Sequence, residues 1–338
     1  MNTKSKKLVK AAGIAGATAA VASLSALATT NFLCKVALDR EQPERFQKAQ
    51  NAISGSDADP DFLEKKQMAT ARLTSRPLET VQITARDGVQ LVGHWAAQEN
   101  PKRIIIAMHG WRSSWTNDFA LISEFWEKSG CSVLYAEQRG QGNSGGDYMG
   151  FGPIERYDCL SWTQWVSLHC GQDIPVYLAG VSMGAATVLM ASGMELPRNV
   201  HGILADCGFT SPLAIWKHVA TDNLHLSFRL GSLLANSMYS RKTNEDAAGY
   251  STLEALAHCK VPVLLIHGSD DNFVPVEMAY ENYKACTAPK KLLIVPGADH
   301  AMSYYVDPVA YEAAMLDFWA QHDEGNDGRL RNSGGTMA

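Results

Sequence analysis

A serine, an aspartate and a histidine follow one another along this chain, each just after an apolar run: Ser182, Asp271 and His300. A serine hydroxyl is a weak nucleophile at neutral pH, so it needs an imidazole that accepts its proton. The imidazole in turn needs a carboxylate that fixes its tautomer and stabilises its charged form. Residues of these types in this order predict attack by Ser182 on a carbonyl carbon, with His300 as base and Asp271 as its partner.

The surroundings of Ser182 are typical of a sharp turn between a strand and a helix. The sequence GVSMG (180–184) follows the apolar run 175–179 and opens a helix-like stretch, 185–194. At such a turn the serine backbone is strained and its hydroxyl is exposed beyond the end of a sheet. Glycine two residues away on either side leaves room for close backbone contacts. We therefore predict that Ser182 faces a site at the end of a strand.

The elements that must bring these residues together are apolar runs that alternate with helix-length segments. Ile, Val and Leu follow one another without polar alternation, which is typical of parallel strands covered by helices on both faces. A predicted hairpin with the turn Asp87-Gly88 precedes them. Ligands bind beyond the carboxyl ends of such strands. The runs are 104–108, 133–136, 176–179, 202–205, 261–266 and 292–295.

Three further segments flank or interrupt this alternation. Residues 35–78 carry mixed charge and turn formers, which indicates a helical linker before a main domain at 79–322. Residues 209–259 contain apolar residues at loosely helical spacing and are too many for one crossover helix, so we predict a small helical lid. The tail, 323–338, is polar and glycine-rich and is predicted to be disordered.

Composition excludes several classes of partner. The 338 residues are 46% hydrophobic with a formal net charge of −5, which is enough apolar material for a large core. Beyond the first ten residues there is no basic block, so nucleic acid is not a predicted partner. Seven cysteines without a C-x-x-C pair indicate neither a zinc site nor a full disulfide framework. We expect most of them to be buried thiols.

The N-terminal segment, 1–34, has a different composition. Four lysines among the first ten residues precede an uncharged stretch, 11–34, that is long enough to span a bilayer. As a signal-anchor it predicts a membrane-bound protein whose catalytic domain lies outside the cytoplasm. Alternatively, it is a secretory signal cleaved after Ala28, or an amphipathic soluble helix. The free cysteines weigh against export, because oxidising compartments favour paired ones.

The motifs together resemble those of the α/β-hydrolase superfamily, in particular bacterial serine hydrolases related to serine aminopeptidases and acyl-thioester hydrolases. The resemblance covers about residues 79–321 and implies an α/β-hydrolase fold, with a mostly parallel eight-stranded sheet flanked by helices. Glu137 departs from the family's pattern, which usually has Asp at the start of this loop. The matching segments are HGW (109–111), EQRGQGNS (137–144), GVSMG (180–184), HGSDDNFVP (267–275) and GADH (297–300).

The resemblance also implies an oxyanion hole built from main-chain groups. One donor is the N–H of Met183, which follows the nucleophile, and the other is the N–H of Trp111, which follows His109-Gly110. Two such donors stabilise the tetrahedral oxyanion, and loss of one typically costs about 3–4 kcal/mol in the barrier.

Other acidic residues compete with Asp271 for the role of carboxylate partner. The spacing within HGSDDNFVP favours Asp271 over the adjacent Asp270. Asp206 follows the run 202–205, which is a rarer position for the acid in related folds. Asp299 precedes His300 directly and cannot easily face its imidazole, so we expect it to cap the loop.

Two further patterns have structural explanations. His109 and His267 stand at strand ends, where a histidine more often orders a loop than takes part in catalysis. The sequence GQGNSG (140–145) matches a dinucleotide fingerprint, but it continues as a loop to Gly150 and opens no helix that could hold pyrophosphate. We therefore expect no nicotinamide, flavin or other organic cofactor and no metal.

These observations predict a serine hydrolase that cleaves carboxylic ester, thioester or amide bonds through an acyl-enzyme on Ser182. The substrate is a small molecule or a peptide, and the apolar residues of the lid point to a hydrophobic acyl group or simply to the lid's own core. An acyltransferase with the same triad is one alternative. The other is a non-catalytic, membrane-tethered binding protein of the same fold.

Overall fold

The computed structural model describes residues 27–41, 59–228 and 231–324. Most of the predicted N-terminal apolar segment and nearly all of the predicted disordered tail lie outside these ranges, so both stay predictions. Within the described ranges, no helix is both long enough and apolar enough to cross a bilayer.

The centre of the described chain is an eight-stranded sheet. Its strands are β1 (Glu79–Thr84), β2 (Gln90–Ala96), β3 (Arg103–Met108), β4 (Cys131–Ala136), β5 (Val176–Val181), β6 (Val200–Asp206), β7 (Val263–Gly268) and β8 (Lys290–Val295). Their spatial order is β1-β2-β4-β3-β5-β6-β7-β8. β2 is antiparallel to both of its neighbours, and the other neighbouring strands are parallel to one another. The predicted, mostly parallel sheet is confirmed.

The inner strands are buried on both faces, which explains their uninterrupted apolar sequences. In β3 all six residues are buried. Ile104 and Ile106 belong to the core on one face of the sheet, and Ile105 and Ala107 belong to the core on the other. Burying one such Ile side chain stabilises the fold by roughly 1.5–3 kcal/mol, so strands of this kind hold the site's framework rigid.

Helices cover the faces of the sheet. Phe119, Trp126 and Phe318 lie on helices that cover one core, and Trp162 and Val188 lie on helices that cover the other. The helices are α1 (27–38), α2 (Pro60–Thr74), α3 (Trp115–Lys128), α4 (Glu155–Cys170), α5 (Met183–Ala191), α6 (Pro212–His218), α7 (Gly231–Thr243), α8 (Thr252–Ala257), α9 (Val276–Ala285), α10 (Ser303–Val306) and α11 (Pro308–His322).

A third apolar cluster lies beyond the carboxyl edge of the sheet. The interval predicted to form a lid, 209–259, folds into α6, α7, α8 and a π-helical turn at Val219–Asn223. Ile215 and Tyr239 of this interval share the cluster with Met183, and so do Cys34 and Leu38 of α1. The helical content matches the prediction, whereas movement of this interval as a lid stays a prediction.

All seven cysteines lie in the described ranges as free thiols, and six of them are buried. The expectation that most would be buried thiols is therefore confirmed. Their packing with apolar side chains is the usual behaviour of unpaired cysteine.

Candidate active site

Ser182 occupies the turn between β5 and α5 with a backbone conformation that is rare for a residue with a side chain, φ 55° and ψ −116°. The glycines of GVSMG make this turn possible. A Cβ on Gly184 would overlap the carbonyl oxygen of Met108, and one on Gly180 would overlap that of Gly184. The predicted elbow is thus present, and its close packing explains the glycine on each side.

The three predicted residues form one chain of hydrogen bonds. His300 Nε2 lies 2.9 Å from Ser182 Oγ, and His300 Nδ1 lies 2.7 Å from Asp271 Oδ2. A carboxylate only accepts, so Nδ1 carries the proton that it donates to Asp271. Nε2 is then left with a lone pair that can accept the proton of Ser182. This is the geometry that general-base activation of a serine requires.

Asp271 is buried yet well supplied with donors. Its Oδ1 accepts hydrogen bonds from the main-chain N–H groups of Phe273 at 3.0 Å and Val274 at 2.7 Å, and His267 Nε2 lies 3.2 Å from Oδ2. Burial alone would raise the pKa of Asp271, but the charge of His300 and the hydrogen bonds from His267 and His300 lower it well below the usual range. The side chain is therefore ionised near neutral pH.

The other acidic candidates lie elsewhere. Asp270 is exposed and accepts a hydrogen bond from Ser269 Oγ. Asp299 Oδ1 accepts from the main-chain N–H of His300 at 2.7 Å, which is the capping role predicted for it. Of the two aspartates in the β7 loop, only Asp271 reaches the imidazole.

Asp206 lies behind the nucleophile and does not hydrogen-bond the imidazole. Its Oδ1 accepts from Ser303 Oγ at 3.1 Å, and its main-chain oxygen accepts from the N–H of Ser182 at 2.9 Å. Burial raises the pKa of Asp206 to about 6. Asp206 thus fixes the backbone of Ser182, while Asp271 fixes the base.

His300 has a second neighbour that the sequence does not indicate. Cys207 Sγ lies within 4.8 Å of the ligating atoms of both Asp271 and His300. Burial would lower the pKa of His300, but a negative charge on Cys207 or on Asp271 raises it well above the usual value. Because burial raises the pKa of Cys207 itself to about 11, its thiol is neutral near pH 7. Asp271 is then the charge that holds the pKa of His300 high.

The groups predicted to form the oxyanion hole lie next to Ser182. Gly110 is so close that an added Cβ would stand 3.4 Å from the Cβ of Ser182. Met183 is the first residue of α5, where main-chain N–H groups have no partner within the helix. In the described part of the chain, neither its N–H nor that of Trp111 meets an acceptor. Both donors are therefore available to a substrate oxygen, and their role stays a prediction.

The loop that carries Trp111 is held by side chains from two directions. Asp118 Oδ2 accepts from the N–H of Gly110 at 2.6 Å, and Asp118 Oδ1 accepts from Ser113 Oγ at 2.5 Å. On the other side His109 Nε2 accepts from the N–H of Gln138 at 3.1 Å, so Nδ1 donates to the carbonyl of Gly110. Burial lowers the pKa of His109, which keeps it neutral. Its partners fit the predicted loop-ordering role, and Asp118 is a contributor that sequence reasoning missed.

Glu137 organises the glycine-rich loop that follows β4. Its carboxylate accepts from Asn143 Nδ2 at 3.0 Å, from the Asn143 main chain, and from His94 Nε2 at 2.6 Å. Burial raises the pKa of Glu137, but these hydrogen bonds outweigh it and lower the pKa to about 2. Gly142 lies against this carboxylate at φ 54°, so a side chain there would collide with it. GQGNSG thus forms a turn around Glu137 and opens no helix.

A cavity of about 1150 Å³ extends from Ser182 and His300 towards α1 and the helices of residues 209–259. Its volume is slightly above the range of about 300–1,000 Å³ that is usual for small-molecule sites. Most of its lining is apolar, and two buried polar atoms in it, Trp216 Nε1 and Asn223 Oδ1, have no hydrogen-bond partner among the described residues. The apolar lining includes Leu33, Val36, Phe151, Ile215, Trp216, Val219, Leu224 and Phe228.

Comparisons with known proteins agree with this architecture. A model of the prolyl oligopeptidase family matches residues 117–325. The chain is 26% identical to the uncharacterized protein YqkD of Bacillus subtilis over 240 residues, which are 70% of this chain and 77% of that one. It is 24% identical over 259 residues to a bifunctional esterase/perhydrolase of Acinetobacter calcoaceticus, covering 65% and 92% of the two chains.

Among solved structures, the Pyrococcus furiosus esterase Pf2001 is similar with a TM-score of 0.61 and 23% sequence identity. The superposition covers 74% of this chain and 93% of the esterase. At that identity the likeness shows the shared fold.

Proposed function

The chain belongs to the prolyl oligopeptidase family of α/β-hydrolase enzymes, and from this premise we propose that it cleaves carboxylic ester, thioester or amide bonds through an acyl-enzyme on Ser182. The observation that carries the proposal is the continuous hydrogen-bonded chain from Ser182 through His300 to a buried, ionised Asp271. Ser182 and His300, at one end of this series of hydrogen bonds, line a cavity that is large enough for an organic substrate.

Acylation follows from the positions of these groups. As Ser182 Oγ attacks the substrate carbonyl carbon, its proton passes to His300 Nε2, and Asp271 stabilises the imidazolium. The carbonyl oxygen becomes an oxyanion that accepts from the N–H groups of Met183 and Trp111. The tetrahedral intermediate then collapses, the bond to the leaving group breaks, and His300 Nε2 returns the proton to the departing oxygen, sulfur or nitrogen.

Deacylation repeats the same steps with water. His300, neutral again, takes a proton from a water molecule that attacks the acyl carbon of the Ser182 ester. Collapse of the second intermediate releases the acid and restores the Ser182 hydroxyl with the proton held on Nε2. Every proton moves through one nitrogen, and Asp271 stays ionised throughout because its pKa is far below neutral.

Replacing the nucleophile tests the proposal. We expect wild-type protein to hydrolyse a p-nitrophenyl ester or an aminoacyl anilide and to be labelled by a fluorophosphonate probe. Ser182→Ala should lose labelling and at least about 10³-fold in turnover, because the attacking oxygen is gone. Ser161→Ala, on α4 and outside the cavity lining, should retain both. An unlabelled wild type would favour the binding-protein alternative, and acyl transfer to added alcohols in place of hydrolysis would favour the acyltransferase.

We also propose that residues 1–34 anchor the protein in a membrane, with the catalytic domain outside the cytoplasm. The support is the sequence pattern alone, four lysines followed by an uncharged stretch of bilayer-spanning length. Secretion after cleavage at Ala28 is the alternative.

A further inference from the structure

The C-terminal end of α1 is held by the side chains of the predicted oxyanion loop. Trp111 Nε1 donates to the carbonyl oxygen of Ala37 at 2.8 Å. Arg112 Nη2 donates to the carbonyl oxygens of Val36 and Asp39, each at 2.6 Å. The last carbonyls of a helix have no partners within it, and a cation there also complements the helix dipole. Trp111 and Arg112, the two residues that follow Gly110, therefore supply hydrogen-bond donors to the carbonyl groups at the end of α1.

The residues that follow α1 are fastened to the rest of the described domain as well. The Arg40 guanidinium donates to the carbonyl oxygens of Ser144 and Gly142, each at 2.6 Å. Lys242 Nζ of α7 lies 2.8 Å from Asp39 Oδ1. Segment 36–40 thus touches the oxyanion loop, the glycine-rich loop and the helices of 209–259 at once, which is more contact than a connecting segment needs.

The inner face of α1 is part of the cavity wall. Leu33, Val36 and Ala37 line the cavity whose floor holds Ser182 and His300. Val36 is only 3% exposed, although the residue before it, Lys35, is exposed on the outer face. Other residues of the cavity lining are aromatic or aliphatic, among them Phe151 and Ile215. A wall of this kind, continuous with the nucleophile, fits an extended apolar group attached to the acyl carbon.

We propose that α1 is the acyl-binding wall of this active site and also the element that positions the oxyanion loop. The substrate is an ester or thioester of an aliphatic acyl chain of medium or greater length, which lies against Leu33, Val36 and Ala37 while its carbonyl group is at Ser182. This inference rests on the proposed hydrolase function and adds to it the class of substrate and a positioning role for Trp111.

Chain-length selectivity of the full chain tests the wall. For p-nitrophenyl esters we expect kcat/KM of wild type to rise from acetate towards octanoate or longer. Leu33→Trp should fill part of the cavity, so that a long acyl chain loses its apolar contacts. We expect the kcat/KM for dodecanoate, divided by that for acetate, to fall by at least about tenfold. Each methylene group that loses apolar contact should lower kcat/KM by about fourfold. The matched control is Asn31→Trp, at an exposed position of α1 outside the cavity lining. It should leave the ratio within about twofold.

A separate variant tests the positioning role. Trp111→Phe keeps the ring packing and the main-chain N–H but loses the donor to Ala37. We expect kcat to fall about threefold to tenfold for every chain length with KM nearly unchanged, and the affinity for a boronic acid transition-state analogue to fall in parallel. Trp319→Phe, in the core below the sheet, is the control, because its indole N–H has no partner among the described residues. If Trp111 has only a structural role, Trp111→Phe should lower the melting temperature without lowering kcat at an unchanged KM.

The outcomes separate this inference from the proposed function. If wild type hydrolyses acetate through Ser182 but the Leu33→Trp ratio is unchanged, or acetate is preferred to all longer chains, the acyl-wall proposal is overturned and the hydrolase stands. If Trp111→Phe leaves kcat unaltered, the positioning role is overturned. If no substrate is turned over and Ser182 is not labelled, the proposed function fails and this inference fails with it.

Discussion

Backbone strain at Ser182 is maintained by its neighbours. A residue with a side chain at φ 55° and ψ −116° costs of order 1–3 kcal/mol, so the surroundings must impose this conformation. The main-chain oxygen of Asp206 holds the N–H of Ser182 from below, and the contact of Gly184 with Met108 fixes the start of α5. The strain keeps Oγ directed towards His300, which is how a weak nucleophile gains a fixed proton acceptor.

Replacing Asp271 by Asn should show how the charge of the Asp271 carboxylate affects His300 and the reaction rate. Activity requires neutral His300, so in wild type it should rise with pH through the pKa of His300, which the Asp271 carboxylate holds above its usual value. Asp271→Asn should lower kcat by about 10³–10⁴-fold. Any residual activity should have its acidic limb at lower pH, because the charge that favours the imidazolium is gone. The measurement is a pH profile of kcat/KM.

The adjacent aspartate provides the control for this experiment. Asp270 is exposed and is not hydrogen-bonded to the His300 imidazole. Asp270→Asn should therefore keep kcat/KM within about twofold of wild type and leave its pH profile unshifted. Equal losses in the two variants, or an unshifted limb in Asp271→Asn, would contradict the assignment of Asp271.

At the scale of elements, the sequence predicts what is repeated along the chain and misses what depends on distant packing. The strands and the positions of Ser182, Asp271 and His300 follow from apolar runs and the motifs at their ends. The hydrogen bond from Arg112 to the carbonyl oxygen of Val36 could not be predicted, because the two residues are 76 positions apart and neither belongs to a motif. Cys207 beside His300 could not be predicted either, because it lies outside the motifs and far from His300 in the sequence. The fold and the triad were therefore predictable, whereas the cavity wall was not.

The Glu137 carboxylate accepts hydrogen bonds from Asn143 in the loop after β4 and from His94, and its removal should be visible in acid stability. Glu137 has a pKa of about 2 in the fold, below the ordinary Glu value, so it stabilises the protein fully above about pH 5 and this stabilisation is lost as pH falls towards 2. Glu137→Gln should lower the free energy of unfolding at pH 7 by about 1–3 kcal/mol, since buried donors lose their charged acceptor. The same variant should depend less on pH between 5 and 3.

Urea unfolding at several pH values measures both effects. Glu99→Gln, in the turn between β2 and β3 where the side chain is exposed, is the matched control and should match wild type at every pH. A Glu137→Gln variant with wild-type stability at pH 7 would show that the other hydrogen bonds of the loop hold it without this carboxylate.

In the whole molecule, the N-terminal segment bears both on where the protein is located and on its proposed substrate site. α1 begins the described chain at residue 27, and its first eight residues lie within the segment predicted to be an anchor or a signal, yet the helix also forms part of the cavity wall. Cleavage after Ala28 would still leave Thr29 and the rest of α1 in the mature protein. Secretion therefore leaves the proposed acyl wall intact, and an anchor is compatible with the wall when the bilayer-spanning residues end before Thr29, the first described residue of the cavity lining.

Fractionation of cells that express the full chain distinguishes the two forms. An anchored protein should stay in the membrane pellet after alkaline carbonate extraction, because about 20 apolar residues in a bilayer are not released by charge or pH. Its intact mass should include residues 1–28. Exchanging Lys4, Lys6, Lys7 and Lys10 for Gln should weaken the preference for an extracytoplasmic catalytic domain, measured by protease accessibility in spheroplasts, since basic residues set the orientation. A soluble protein whose mass begins at Thr29 would establish secretion, and a soluble chain of full mass would exclude both forms.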